Sequence, residues 1–351
     1  MRAQAARQRA SMAIAVVFLA ACTVALGGVG GWRALGSSGQ PGIRRPGGTA
    51  RGDDASQVSA SSPHAASATP AAAPWRHPAV GVGTPDARLA AALARVLRRH
   101  QGSVAVAVSD PAGGLTAAYH HQRRFDTASI VKADILAVLL IQHHQTGTPL
   151  SGGERELATQ MIEDSDNDAA TALWDAAGGT MGMEAGNAAL GLHGIAPGPG
   201  GYWGLTTTTV SSELGLLSDL TSAHSPLPAA ARRYELNLMR HVEPAQAWGI
   251  TAAASAHTRP AVKNGWLPAG RDGQWVINSI GVIRRAGHRL DIVVLSSGQP
   301  SEAAGIRQAQ AAARAAAAAI TTPVPGSAAG RSASSHRTHT RLLQRPDSRS
   351  R

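Results

Sequence analysis

The sequence predicts an α+β protein in which a five-stranded antiparallel sheet carries the two terminal helices and a helical lobe is inserted after the second strand. Three observations predict this class. An amphipathic helix precedes two short strand-like runs, several helical segments fill the middle of the chain, and three more strand-like runs precede an Ala-rich helix. Strands grouped in this way, with most helices in one block, favour a layered α+β domain over alternating βαβ units.

The first elements are predicted to be a helix and a hairpin. Over residues 86–100 apolar side chains recur every three or four positions, which predicts an amphipathic helix. The run 103–109 alternates Val with small residues and predicts a strand. Gly113 and Gly114 predict a turn, after which residues 115–119 pair back on that strand.

The inserted lobe is predicted to be helical. Nearly every residue from 129 to 141 is apolar, which predicts a helix buried on all sides. Further helices are predicted over 154–163, 168–177, 211–220 and 231–241. Gly178 and Gly179 are expected to end the second of these, and the Gly- and Pro-rich segment 191–205 is predicted as a loop.

The C-terminal part returns to strands. They are predicted over 260–266, 274–283 and 290–296, with residues 285–288 forming the last turn. The Ala-rich run 303–320 predicts a closing helix, because Ala has the highest helix propensity.

The net charge of +11 is carried by the two ends of the chain. Residues 1–77 hold eight Arg and two Asp, residues 320–351 hold six Arg and one Asp, and the middle balances 19 basic against 19 acidic residues. The neutral middle and the predicted export count against nucleic acid as a partner. The predicted organisation is a signal or anchor segment (1–32), a disordered tether (33–77), one domain (78–320) and a disordered basic tail (321–351).

The N-terminus predicts export and membrane attachment. Three Arg precede an apolar run that ends at Cys22, the only Cys of the chain, in a Leu-Ala-Ala-Cys sequence that resembles a bacterial lipobox. Cys22 is then the lipidated residue. The alternative is an uncleaved anchor helix, since apolar residues continue to Gly31 over a length that can span a bilayer. Both interpretations place the domain outside the cytoplasm, tethered to the membrane. The basic tail can bind an anionic envelope polymer there; the alternative is a solvated tail without a partner.

Only two of the 33 basic residues are Lys, and both lie in short polar motifs. In the first motif Ser129 and Lys132 are three apart at the start of the buried helix, so they share one face. Burial lowers the pKa of an amine toward that of a useful base, and a base makes a Ser hydroxyl nucleophilic. The pair predicts a nucleophile and its base; the alternative is a chance spacing.

The second motif is Ser165, Asp166 and Asn167, on a polar connection between two predicted helices. A hydroxyl there can relay a proton to a leaving group, and an amide can hold a substrate carbonyl and the Lys. The alternative is a helix N-cap, a position that all three residue types favour.

The third motif is Lys263, Asn264, Gly265 and Trp266, on the first of the C-terminal strands. A Lys there can attract a substrate carboxylate, and Gly265 lets a substrate backbone lie close to the strand. The alternative is a hairpin turn at Asn-Gly.

The three motifs, in this order, resemble the S-x-x-K, S-D-N and K-T-G set of the penicillin-recognising serine hydrolases, which include class A β-lactamases and D-Ala-D-Ala peptidases. The resemblance spans roughly residues 86–319 and implies a β-lactamase/transpeptidase-like α/β (α+β) fold. It implies an acyl-enzyme mechanism with Ser129, Lys132 and Ser165 as catalytic residues. The substrate-binding residues that it implies are Asn167, Lys263, Asn264, Gly265 and Trp266.

The resemblance also implies an oxyanion hole made of the backbone N–H groups of Ser129 and Trp266. Three departures from the family pattern bear on activity. The third motif is K-N-G rather than K-T-G, and the segment between Ser129 and Ser165 is short. The omega-loop Glu with which class A enzymes deacylate is absent, since no Asp or Glu lies between Glu184 and Glu213.

The resulting hypothesis is a membrane-tethered, extracytoplasmic serine hydrolase that forms an acyl-enzyme at Ser129 with β-lactams or D-Ala-D-Ala-like peptides and deacylates slowly. The alternative is a non-catalytic envelope-binding protein that retains the fold. Neither His193 nor Tyr202, the titratable residues of the 191–205 loop, is assigned as a deacylation base. No cofactor or metal site is predicted, because the 14 His are scattered and no H-E-x-x-H motif occurs.

Overall fold

The computed structural model describes residues 83–98, 100–269 and 273–322. The predictions for Cys22, for the segments 1–32 and 33–77 and for the tail beyond residue 322 lie outside these residues. The α-helices that it describes are α1 (Pro85–Leu97), α2 (Val131–Thr146), α3 (Gly152–Glu163), α4 (Asn167–Ala176), α5 (Gly179–Leu190), α6 (Val210–Thr221), α7 (Ala229–Arg240) and α8 (Glu302–Thr321). The strands are β1 (Ser103–Asp110), β2 (Leu115–Tyr119), β3 (Phe125–Asp126), β4 (Thr207–Thr208), β5 (Ala261–Ala269), β6 (Gln274–Arg285) and β7 (His288–Ser297).

The predicted five-stranded antiparallel sheet is confirmed, with the strand order β2-β1-β7-β6-β5. The first and last strands in the chain meet at its centre, where Val106 of β1 pairs with Val294 of β7. Strands β6 and β7 are joined by Ala286 and Gly287, which both have positive φ, at 49° and 85°. Two such residues match the twist of a hairpin, so the predicted turn at 285–288 is also confirmed.

The sheet separates two hydrophobic layers, and the period of two along its strands decides which layer each side chain joins. Val104, Val106 and Val108 pack with Leu89 and Leu93 of α1 and the Ala face of α8. Ala105 and Ala107 point the other way, into the helical lobe. Because both faces are covered, β1 is buried along nearly its whole length and apolar from Val104 to Val108.

Helix α2 is the centre of the lobe. Every residue from Val131 to Ile141 is buried, as the continuous apolar run predicts. Gly147, with φ 69°, ends the helix, and its N–H donates to the carbonyls of His143 and His144. This buried helix begins directly after Ser129 and carries Lys132 in its first turn.

The prediction for residues 178–205 was incomplete. Gly178 and Gly179 do end α4, but a further helix, α5, begins at Gly179 and runs to Leu190. Three Gly in α5 give it low intrinsic propensity, so tertiary packing must stabilise it. Gly186 lies so close to Val138 of α2 that a Cβ there would clash, and Met183 and Leu190 are buried.

The segment after α5 is a loop that returns to the sheet region through a small second sheet. Strands β3 and β4 pair antiparallel, with Phe125 opposite Thr208. Thr127 N donates to Thr206 O over 2.8 Å, which ties the loop to the residues that precede Ser129. No helix within the described residues is both long and apolar enough to cross a bilayer.

Candidate active site

The structure brings one residue from each of the three motifs to a single point. Lys132 Nζ lies 3.1 Å from Ser165 Oγ, and Lys263 Nζ lies 2.9 Å from the same oxygen. Lys132 comes from the first turn of α2, Ser165 from the link between α3 and α4, and Lys263 from edge strand β5. Both Lys side chains are fully buried. The Ser165 hydroxyl is therefore shared by the only two amines that Lys residues supply in this chain.

Ser129 lies in a short 3₁₀ turn, Ala128–Ile130, at the N-terminus of α2. Ala128 has φ 47°, a left-handed conformation that is strained for a residue with a Cβ and that is often found at functional sites. Ser129 is half-buried, whereas the residues on both sides of it are buried. The turn therefore presents the Ser129 side chain at the start of a helix, where the dipole favours negative charge.

Asn278 of β6 holds the backbone that leads into this turn. Its Nδ2 donates to Asp126 O over 2.8 Å and to Thr127 O over 3.0 Å, and its Oδ1 accepts from Ser296 N. Asn278 is fully buried, so these bonds have no competition from water. The sequence analysis did not identify Asn278, because its partners are carbonyl groups about 150 residues away.

Gly265 of β5 packs directly on the turn. A Cβ at this position would lie 2.7 Å from Ser129 N and 2.8 Å from Ile130 N. Only Gly allows the edge strand to lie this close to the first helical N–H groups. The Asn264–Gly265 pair is thus part of a strand, and the alternative interpretation as a hairpin turn is wrong.

The N-cap of α4 is Asp166, whose Oδ1 accepts a hydrogen bond from Ala169 N over 2.8 Å. The N-cap interpretation of the second motif is therefore correct for Asp166 alone. Ser165 has φ 56°, and this left-handed backbone directs its hydroxyl and its carbonyl toward Lys132. Asn167 Oδ1 accepts from Lys132 Nζ over 2.8 Å.

Burial shifts both amines toward their neutral form. Burial lowers the pKa of Lys132 well below its ordinary value, the nearby charge of Lys263 lowers it further, and Asp166 acts in the opposite direction. Burial lowers the pKa of Lys263 to about 7. Two ammonium groups that share one hydroxyl repel each other. The site therefore favours a state in which only one of the two amines carries a charge.

Asn264 is placed differently from its predicted role. Val262 and Trp266 pack in the layer of the terminal helices, whereas Lys263 reaches Ser165 on the opposite side of β5. Asn264 Nδ2 donates to the carbonyls of Gln246 and Trp248, over 2.6 Å and 3.2 Å. Neighbouring residues of a strand face opposite sides, so the Asn264 amide braces β5 from behind and does not face Ser165.

Trp266 also places its side chain away from Ser165. Its ring meets that of Trp248 edge to face, with centroids 5.9 Å apart. A role for Trp266 at the site therefore falls to its backbone and not to its indole.

The 191–205 loop places Trp203 beside Lys132. The Lys132 Nζ atom lies 5.0 Å from the centroid of the Trp203 ring, within cation–π range. Trp203 Nε1 donates to Thr171 Oγ1 over 3.2 Å. His193, in contrast, is exposed. Trp203 was not found from the sequence, because an aromatic residue in a Gly-rich loop carries no signal of its partner.

No cluster of three or more His, Cys, Asp or Glu that could bind a metal is found in the part of the chain that the structure describes. The donors at this site are amines, a hydroxyl and an amide, a set suited to proton transfer and anion binding. Chemically, the arrangement can withdraw a proton from a nearby hydroxyl and can bind a carboxylate.

Comparison with solved structures places the fold among β-lactamases. A class A β-lactamase from Bacteroides cellulosilyticus matches with a TM-score of 0.60 and 15% identity, over 68% of this chain and 99% of that one. The TLA-1 extended-spectrum β-lactamase matches with a TM-score of 0.61 and 16% identity, over 68% and 99%. A β-lactamase from Chitinophaga pinensis matches with a TM-score of 0.59 and 19% identity, over 65% and 97%. The chain thus has a β-lactamase-like fold.

At the level of sequence, the chain is similar to the protein named "Putative lipoprotein LppW" of Mycobacterium tuberculosis and Mycobacterium bovis. The identity is 27% over 245 residues, which covers 68% of this chain and 76% of the relative. No family model matches the sequence.

Proposed function

We propose that this protein is a serine hydrolase of the penicillin-recognising type, which forms an acyl-enzyme at Ser129 with β-lactams or D-Ala-D-Ala-like peptides. The observation that carries the proposal is the shared hydrogen bonding of Ser165 Oγ to Lys132 and Lys263, next to the turn that presents Ser129. The β-lactamase-like fold supports it.

In the proposed reaction, Ser129 Oγ attacks the carbonyl carbon while neutral Lys132 takes its proton. The carbonyl oxygen becomes an oxyanion, which the backbone N–H groups of Ser129 and Trp266 stabilise. Each donor of this kind is worth about 3–4 kcal/mol in the transition state. The close packing of Gly265 on Ser129 N supports this pairing of edge strand and helix N-terminus.

The tetrahedral intermediate then collapses by loss of the carbon–nitrogen bond. Ser165 gives its hydroxyl proton to the leaving nitrogen and takes one from the ammonium of Lys132, so the proton lost by Ser129 ends on the leaving group. Lys263 donates to Ser165 Oγ and attracts the substrate carboxylate, while the Asn167 amide keeps Lys132 in place and contacts substrate.

Hydrolysis of the acyl-enzyme requires a base that takes a proton from water. The 191–205 loop supplies no carboxylate, and the aromatic ring of Trp203 lies beside Lys132. An indole ring cannot accept that proton, so we expect the acyl-enzyme to persist and lactam turnover to be slow.

We also propose that the domain is anchored to the membrane outside the cytoplasm. The relative named a lipoprotein and the sequence around Cys22 support a lipid anchor outside the cytoplasm, with the uncleaved helix as the alternative. The tether and basic tail would then keep the domain near the envelope, where peptidoglycan-derived peptides are available.

A second candidate, a non-catalytic envelope-binding protein, is favoured by one observation. Lys132 Nζ directs its hydrogen bonds at Ser165 and Asn167 and not at the Ser129 hydroxyl. Apo geometry of this kind often tightens only when substrate binds, so it does not outweigh the shared hydroxyl.

Labelling with a fluorescent penicillin separates the two candidates. The purified chain should become covalently labelled, a Ser129→Ala variant should not, and an excess of a D-Ala-D-Ala peptide should slow the labelling. Reversible binding of that peptide without covalent labelling would instead establish the binding protein.

A further inference from the structure

Trp203 closes a ring of contacts around Lys132. The indole Nε1 donates to Thr171 Oγ1, and the Thr171 hydroxyl in turn donates to Asn167 O over 3.0 Å. Asn167 Oδ1 accepts from Lys132 Nζ, which lies 5.0 Å from the Trp203 ring centroid. The indole is therefore held by the same helix, α4, whose first residue holds the amine.

The loop that carries Trp203 is tied down on both sides of the indole. Gly198 N donates to Thr206 Oγ1 over 3.2 Å, and Ala196 and Thr207 exchange backbone hydrogen bonds of 2.8 Å and 2.9 Å. Trp203 itself packs against the lobe core. The ring position is thus a product of the fold and not of a freely moving side chain.

Few charged groups near Lys132 favour its ammonium form. It is fully buried, Lys263 from β5 opposes a second positive charge, and Asp166 from α4 is exposed to solvent. The remaining neighbours, Ser165 and Asn167, are uncharged and favour the ammonium only through the hydrogen bonds that their oxygens accept. An aromatic face within about 6 Å attracts a cation, most strongly where water is excluded.

We propose that Trp203 is a positioning residue that stabilises the ammonium formed on Lys132 when this amine takes the proton of Ser129. The inference rests on the proposed function for its catalytic consequence, but the contact between ring and amine exists without it. The indole stabilises the conjugate acid and offers no lone pair for a proton, so it assists proton removal from Ser129 only.

The chain offers an unusually direct test, because Lys132 and Lys263 are its only two Lys residues. Selective ¹³C labelling of Lys, in protein whose purification tag contains no Lys, gives two Cε signals. The variants Lys132→Arg and Lys263→Arg assign these signals, because each variant removes one of them. Titration of these signals measures the pKa of Lys132 with no substrate present.

Three variants distinguish the effect of the aromatic face on the Lys132 pKa from the effect of side-chain packing. Trp203→Phe keeps an aromatic face but loses Nε1, Trp203→Leu removes the face, and Thr171→Val removes the hydroxyl that holds the ring. We expect the Leu variant to lower the measured Lys132 pKa by about 0.4–1.5 units and the Phe variant to lower it less, as cation–π attraction predicts. We expect Thr171→Val to fall between them.

Equal Lys132 pKa values in wild type, Phe and Leu variants that unfold at the same temperature would overturn the inference. A lower Lys132 pKa in the Leu variant supports the role of Trp203 even if no lactam reacts. In that case the proposed function is wrong, but the inference about Trp203 stands. If the protein does acylate, its rate should fall roughly two- to thirtyfold in Trp203→Leu, and the acid limb of the pH profile should move to lower pH. An acylation rate and acid limb that both stayed unchanged would contradict the proposal.

Discussion

Lys263 donates a hydrogen bond to the Ser165 hydroxyl over 2.9 Å, although the two residues are 98 positions apart in the chain. The bond joins an edge strand of the sheet to a helix connection of the lobe, so the site exists only when both layers are assembled. Lys132 reaches the same oxygen from a third element, α2.

Replacement of Ser165 by Ala should slow acylation of Ser129 by about 10²–10⁴-fold, the usual effect of losing one proton-transfer group. The variant leaves two buried amines without their common partner. Stopped-flow or quenched labelling with a fluorescent penicillin measures the rate. Ser151→Ala, which removes the N-cap hydroxyl of α3 on the surface, is the matched control. A Ser165→Ala rate equal to that of the control would exclude Ser165 from the reaction.

Lys263 should make carboxylate recognition sensitive to pH. Burial lowers its pKa to about 7, so the amine is charged at pH 6 and mostly neutral at pH 8. The acylation rate for a penicillin divided by the rate for its methyl ester should therefore fall about tenfold between these pH values. The ratio cancels the titration of Lys132, which affects both substrates. A ratio that stays constant, or that rises with pH, would show that Lys263 does not bind the carboxylate.

Three buried carboxyl groups beneath the site should make stability fall as the pH rises. Burial raises the pKa of Asp134 to about 7, of Glu213 to about 8 and of Glu235 well above its ordinary value. In the folded state these groups keep their protons to higher pH than in the unfolded chain. The contribution is therefore fully present below about pH 4 and is lost progressively as the pH rises to about 8.

The matched variant is Glu213→Gln, which cannot ionise. We expect it to be on the order of 2–4 kcal/mol more stable than wild type at pH 8 and nearly equal at pH 4, as measured by urea unfolding. Glu156→Gln, at an exposed position of α3, should change little at either pH. Wild-type stability that rises between pH 5 and pH 8, with no gain from the Gln variant, would contradict the predicted protonation of this cluster.

Asn278 should matter for the reaction beyond its effect on stability. Asn278→Ala removes the hydrogen bonds to Asp126 O and Thr127 O and the acceptor of Ser296 N, a loss that should cost about 1–3 kcal/mol. The turn that presents Ser129 is then less fixed, so acylation should slow by at least tenfold. The free energy of unfolding and the labelling rate are both measured.

The neighbouring residue provides the control for Asn278. Ser279 faces the opposite side of β6, where its Oγ accepts from Ile250 N over 2.9 Å. Ser279→Ala should destabilise the protein to a similar degree and leave acylation nearly unchanged. Equal losses of activity in both variants would mean that Asn278 acts through stability alone.

Much of the fold was predictable because its elements carry local periodic signals. The alternation along β1 and the continuous burial of α2 appear in the sequence as patterns of Val, Ala and Leu. Helix α5 was not predictable in this way, since its three Gly lower its propensity and only the packing of Gly186 on Val138 reveals why a helix fits there.

The site also contains some residues that carry a local signal in the sequence and others that do not. Two Lys in a chain that otherwise uses Arg indicate where unusual amine chemistry lies. The orientation of Asn264 follows from strand alternation, because it cannot face the same side as Lys263, although the sequence analysis grouped the two. Trp203 and Asn278 depend on contacts between distant segments and leave no local trace.

The most direct test of the central claim is the intact mass of the protein after brief exposure to benzylpenicillin. We expect the mass to rise by one penicillin, the adduct to map to Ser129 and to persist for many minutes, and the Ser129→Ala variant to gain no mass. An unchanged mass with rapid loss of the lactam would mean efficient turnover and contradict the predicted slow deacylation. An unchanged mass without loss of the lactam, or an adduct that survives in Ser129→Ala, would contradict the claim that Ser129 forms the acyl-enzyme.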